Sequence, residues 1–130
     1  MLSLNPKRIL VIDDAEDVRE VAQVSLELVG GWEVLTASSG GEGLAKAILE
    51  QPDAILLDVM MPDQDGPTTF QQLQANSATK HIPVILLTAK VMPGDCAYFA
   101  SLGVVSVIYK PFEPLTLPVQ MAKVLGWSEE

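Results

Sequence analysis

Five short apolar runs, each followed by residues at helical spacing, leave this chain few folds to choose from. The runs are RILVIDD (residues 8–14), EVLTA (33–37), AILL (54–57) leading into Asp58, PVILLT (83–88) and VVSVIY (104–109). They are largely continuous rather than alternating, as strands covered on both faces are. After the first run, Val18, Val21, Ala22, Ser25 and Val29 recur at helical spacing until Gly30-Gly31. Ser39 with Glu42 reads as a capping box for a second helix carrying Leu44, Ala45 and Ile48. Pro67 suits the first position of a third helix with Phe70 and Leu73, and a fourth is expected from about Pro93 to near Gly103. Pro118 is tolerated only in a first turn, which makes Thr116 the expected N-cap of the last helix and Leu117 its first residue. Five strands alternating with five helices predict one α/β domain over residues 1–130: a doubly wound (βα)5 three-layer sandwich around a parallel sheet.

Composition narrows the function classes. The hydrophobic fraction of 48% is enough for a sizeable core and argues against disorder. No apolar run is long enough to span a bilayer, and the first residues, MLSLNPKR, lack a signal-peptide layout, so neither a membrane nor export is expected. The single cysteine, Cys96, cannot form an internal disulfide and is expected to be a small core residue; this suits a cytoplasmic setting. A net charge of −9 opposes direct nucleic-acid binding, which draws its affinity from displaced counterions, and is compatible with divalent cations or basic protein patches.

The polar residues fall in one place. The first run ends in Asp13-Asp14, the third in Asp58, the fourth in Thr88 and the fifth in Lys110. Ligands of open parallel sheets bind beyond the carboxyl ends of the strands, where the order reverses. In the order 2-1-3-4-5 that reversal lies between the first and third strands, so Asp13, Asp14 and Asp58 converge. Neighbouring carboxylates repel by on the order of 4 kcal/mol per pair near a protein surface and need a cation to stay ionised together. Lys110 supplies one charge. An all-oxygen donor set without nearby cysteine or histidine points to Mg²⁺ or Mn²⁺ for the rest.

With VIDDAED, LLDVMMPDQDG, VILLTA and YKPF all in order, the chain resembles the receiver domain of two-component response regulators, a flavodoxin-like, CheY-like fold, over essentially its whole length. The resemblance implies that Asp58 is the phosphoacceptor, exposed at its strand end as a nucleophile and phosphorylated from the phosphohistidine of a sensor histidine kinase or phosphotransfer protein. It implies that Asp14 ligates the metal directly and Asp13 mainly through water, and that Met60 offers its backbone carbonyl. Lys110 would pair with Asp58 and then with a phosphoryl oxygen, and its peptide bond to Pro111 would be cis. Thr88 would turn its hydroxyl to the phosphoryl group. Catalysis would be limited to the domain's own phosphorylation and autodephosphorylation, and the output would be altered binding to a downstream protein.

Three other readings compete. A pseudo-receiver, acting as a phosphorylation-independent interaction module, would typically lack one of the acids, the threonine or the lysine, and all are present. An aspartyl phosphatase needs a second acid two residues after the nucleophile, where this chain has Met60. A flavin-binding relative needs a phosphate-cradling loop where this chain has DDAED, which repels phosphate. His81, the only histidine, lacks the four-helix bundle a phosphoryl relay would require, and Trp32 and Trp127 are expected to be packing residues. One departure from the family stands out: Val107 occupies the position, three before the lysine, where many receivers carry a Tyr or Phe switch. Tyr109, at the strand end, is no substitute, so the response is expected to travel through shifts around residues 90–94.

Overall fold

The computed structural model describes residues 6–89 and 93–127, without the side chains of Pro93 and Cys96. The expected core role of Cys96 therefore falls outside the described residues, as do residues 90–92 of the expected output segment. The strands are β1 (Arg8–Ile12), β2 (Glu33–Ala37), β3 (Ala54–Asp58), β4 (Val84–Thr88) and β5 (Ser106–Tyr109). The helices are α1 (Glu16–Val24), α2 (Gly40–Glu50), α3 (Gly66–Ala75), α4 (Pro93–Ser101) and α5 (Leu117–Leu125). All strand pairs are parallel, in the order β2-β1-β3-β4-β5. No helix among the described residues is long and apolar enough to cross a membrane.

The unbroken apolar runs are explained by burial on both faces. Alternate residues of each central strand feed two separate cores. Leu10, Ile12, Ile55, Leu57 and Leu86 pack with Ala47 of α2, Phe70 and Leu73 of α3, and Phe99 of α4. Ile9, Val11, Leu56, Ile85, Leu87 and Ile108 pack with Ala22 of α1 and Leu117 and Met121 of α5. Trp32 and Trp127 meet edge-on at 5.1 Å beside this second core, the packing role expected of them.

Local differences from the sequence reading have local causes. α1 does not run uniformly to Gly30: Ser25–Val29 form a π-helical turn, and the buried Ser25 donates its hydroxyl to the Pro114 carbonyl at 2.5 Å. Ser39 caps α2 by accepting from Glu42 N at 3.1 Å, but Glu42 returns its carboxylate to Ser38 N and Oγ rather than to Ser39. β5 begins at Ser106, not Val104, although Val105 N still reaches Val84 O at 2.8 Å just before it. α5 starts at Leu117 as expected, yet Thr116 does not cap it. Thr116 itself has helical backbone angles, and the second helical residue, Pro118, offers no N–H to accept from.

Candidate functional site

Strand alternation explains why three charged side chains meet. Asp13 lies two residues beyond Val11, Asp58 two beyond Leu56, and Lys110 two beyond Ile108, and those three apolar residues all belong to the core under α1 and α5. A period of two puts the charged residues on that same face, at the carboxyl ends of β1, β3 and β5. β1 and β3 are neighbours, so the carboxylates adjoin. Lys110 must reach across β4, about 10 Å of sheet, which its four-carbon stem and the length of the aspartates together cover. Its Nζ lies 3.1 Å from Asp13 Oδ2 and 3.2 Å from Asp58 Oδ1. The resemblance pairs Lys110 with Asp58; in the structure the ammonium is shared, and Asp13 is marginally the nearer.

Asp13 is fully enclosed. Its Oδ1 accepts from Ala15 N at 2.9 Å, and its backbone carbonyl accepts from Arg19 Nη1 at 2.8 Å. Its Oδ2 has the nearby charge of Lys110 but no well-directed hydrogen bond. Asp14 is exposed and makes no hydrogen bond or ion pair among the described residues. Asp58 is not exposed as expected: only 3% of it is accessible, because it is still a sheet residue, paired with Leu87 and flanked by Asp13 and Lys110. Burial, then the Asp13 charge, pushes its carboxyl up to about 6; Lys110 pulls the other way, and Asp14 adds a smaller upward push. On Lys110, burial works against the charge, but Asp13 and Asp58 outweigh it and hold the ammonium above its ordinary range.

Thr88 closes β4, fully buried and opposite Tyr109, and its carbonyl accepts from Lys110 N at 2.8 Å. By alternation its side chain falls on the α3–α4 face, the opposite face from the charged trio. Met60 lies in the turn after β3 with an exposed side chain. That turn closes on itself through Gly66 N to Val59 O at 2.8 Å, and only a glycine fits there, since a β-carbon would come 2.6 Å from the Asp58 carbonyl oxygen. The Lys110–Pro111 bond is cis, as the resemblance implied. His81 is exposed and stands apart from this cluster.

The donor set fits the divalent cation that the family implies. Asp13, Asp14 and Asp58 each present an oxygen within 4.8 Å of the others. One ammonium against three carboxylates leaves positive charge in deficit, and the enclosed Asp13 Oδ2 is an acceptor in want of a partner. Two residues escaped the sequence reading. Arg19 supports the Asp13 carbonyl; its only signal was a lone base within DDAEDVRE. Asp63 bonds the start of α2, and no sequence pattern connects positions 23 residues apart.

Residues 9–122 match the family model described as the response regulator receiver domain. The chain is similar to the alkaline phosphatase synthesis transcriptional regulatory protein PhoP of Bacillus subtilis, 39% identical over 95% of this chain and 50% of that protein. It is also similar to the response regulator PleD of Caulobacter vibrioides, 42% identical over 85% of this chain and 24% of that protein. It thus spans about half the length, or less, of the curated relatives it matches. Among solved structures, the chemotaxis protein CheY4 of Vibrio cholerae superposes with a TM-score of 0.84 at 31% identity, covering 92% of this chain and 98% of that one. A CheY-like receiver domain protein of Methanospirillum hungatei gives 0.83 at 27% identity, covering 94% and 95%. Strand order, the acid-lined carboxyl edge and a match running from β1 into α5 agree: the chain belongs to the receiver-domain family of two-component response regulators.

Proposed function

We propose that the chain works as a phosphoacceptor module of a two-component phosphorelay, taking a phosphoryl group on Asp58 from the phosphohistidine of a sensor histidine kinase or phosphotransfer protein in the cytoplasm. The observation that carries this reading is the placement of Asp58: a nearly enclosed carboxylate at a strand end, 3.2 Å from Lys110 Nζ and beside Asp13 and Asp14.

The ionised Asp58 oxygen forms the new O–P bond in line with the breaking N–P bond, and the imidazole leaves with the electron pair. Lys110 stays charged and turns from Asp58 to an equatorial phosphoryl oxygen. Thr88 donates its hydroxyl to another. Asp13, Asp14, Asp58 and the Met60 carbonyl would hold Mg²⁺ or Mn²⁺, whose charge offsets the phosphoryl oxygens. Enclosure keeps water from the acceptor, and the arrangement works by positioning and charge rather than by proton transfer. Phosphorylation then changes the surface offered to a downstream protein.

The test is incubation with acetyl phosphate and Mg²⁺, followed by intact-mass and peptide mapping. One phosphoryl group on Asp58, absent in Asp58→Asn, is expected. Modification elsewhere, or none with donor and metal both present, would overturn the reading.

A further inference from the structure

The turn between β3 and α3 is held from outside as well as from within. Asp63 accepts from Gly40 N at 3.1 Å through Oδ1 and from Gly41 N at 3.0 Å through Oδ2. These are the first two amides of α2, which a helix leaves unpaired. Ser39 already serves the third, through Glu42 N. Two elements therefore share the capping of α2: its own N-cap and a carboxylate from the turn that follows Asp58. The next residue adds a second tie. Gln64 Nε2 donates to Thr69 Oγ1 and to Gln72 Oε1, both at 2.9 Å, pinning the turn to α3. The approach depends on Gly40, where a β-carbon would run into Thr69 Oγ1 and the Gln64 side chain. Although exposed, the Asp63 carboxyl is held below the usual carboxylate range, by Gly41 N–H first and then Gly40 N–H, so it stays charged at neutral pH.

We propose that Asp63 is a positioning residue for the metal-binding turn: by clamping residues 59–65 onto the N-terminus of α2, it fixes where the Met60 carbonyl stands relative to Asp13, Asp14 and Asp58. The inference rests on the proposed role of that turn in holding Mg²⁺. It assigns work to a residue that touches neither the metal nor the phosphoryl group. Asp63 and Gly40 form one device, with the charge supplied from the turn and the clearance from the helix.

The experiment compares Asp63→Ala, Asp63→Asn and Ser39→Ala with the wild type. Mg²⁺ affinity is read by calorimetry, melting by circular dichroism, and backbone amide exchange of residues 58–66 by NMR in metal-free buffer. Ser39→Ala removes a cap of the same helix without touching the turn, so it should lower the melting temperature and leave Mg²⁺ affinity and turn exchange unchanged. Asp63→Ala should weaken Mg²⁺ binding by roughly tenfold, the lower end for a residue supporting a metal ligand, and speed exchange of Val59 and Gly66. Asp63→Asn keeps one acceptor oxygen and should fall between. Wild-type affinity and exchange in Asp63→Ala, with only a lower melting temperature, would reduce Asp63 to an ordinary helix cap. A wild type that binds no Mg²⁺ would overturn the metal reading itself, and the exchange data would still report whether Asp63 holds the turn.

Discussion

Lys110 Nζ stands 3.1 Å from Asp13 Oδ2, the enclosed carboxylate oxygen that has no well-directed hydrogen bond. The lysine is therefore as much the countercharge of buried Asp13 as the partner of Asp58. Removing one partner of an enclosed ion pair leaves an uncompensated charge, at a cost of about 3 kcal/mol. Lys110→Met should lose on the order of that amount in metal-free buffer at neutral pH, and saturating Mg²⁺ should restore part of it. A variant as stable as the wild type without metal would contradict the countercharge role of Lys110.

The Asp58 carboxyl sits at about 6, above its ordinary 3.8, chiefly through burial and then through Asp13. A raised value means that the folded state holds a proton which the unfolded state has released. Its stabilising effect is complete below 3.8 and is lost as pH climbs to about 6. Metal-free protein should accordingly become less stable across that window, by on the order of 3 kcal/mol for the two-unit shift. Lys110, held above its ordinary range, keeps its charge throughout and does not contribute to the step. Asp58→Asn should flatten the profile, matching the wild type in acid and exceeding it at neutral pH. Melting temperatures across the range check this, and a marked drop for Asp58→Asn at neutral pH without Mg²⁺ would contradict the repulsion that underlies it.

Asp13 and Asp14 are adjacent but not equivalent. Asp13 is enclosed, with one oxygen bonded by Ala15 N and the other beside the Lys110 charge without a directed hydrogen bond, whereas Asp14 is exposed with its carboxylate uncommitted among the described residues. A ligand already engaged gives up interactions to bind; one facing solvent gives up only water. Asp14→Ala should weaken Mg²⁺ binding more than Asp13→Ala, as read by calorimetry or NMR titration. Asp13→Ala should instead leave Lys110 wholly to Asp58 and lower the pH at which Asp58 titrates. Equal Mg²⁺ affinity in the wild type and the double variant would remove both acids from the site.

Much of this was legible in the sequence, for a physical reason. Parallel strands buried on both faces must be continuous apolar runs, so the residues that break them mark the carboxyl edge, and Asp13, Asp58, Thr88 and Lys110 are those residues. What escaped the reading depends on distances between elements. The enclosure of Asp58 is not legible in the sequence because a strand-end position says nothing about what leans over it. The resemblance pairs Lys110 with Asp58 alone because motif order, even with Asp13 and Asp58 side by side, does not record which carboxylate oxygen a lysine reaching from β5 meets first. Residue type alone makes Thr116 a cap candidate, but Pro118 offers no amide for it to accept from. Asp63 and Gly40 were invisible because each is an ordinary turn or helix-start residue until the fold brings them together.

Thr88 is fully buried, stands opposite Tyr109, and has its carbonyl bound to Lys110 N, so movement of its side chain toward a phosphoryl group must be accommodated locally. Val107 lies opposite Leu86, one alternation inward on the same face, and is half-buried against the α3–α4 core that contains Phe99. A β-branched side chain with one torsion has no long arm to sweep between buried and exposed positions. Tyr109, 38% exposed, sits at the strand end rather than in that core. The response is therefore expected to be carried by the backbone between β4 and α4, without a rotating ring. Beryllofluoride with Mg²⁺, as a phosphoryl mimic, should shift amide resonances from Thr88 through Gly94 and into α4, and leave the Tyr109 ring resonances nearly unchanged. Tyr109→Leu should retain the α4 shifts. Shifts confined to residues 58–66 would place the output elsewhere, and loss of the α4 shifts in Tyr109→Leu would make Tyr109 the switch that Val107 cannot be.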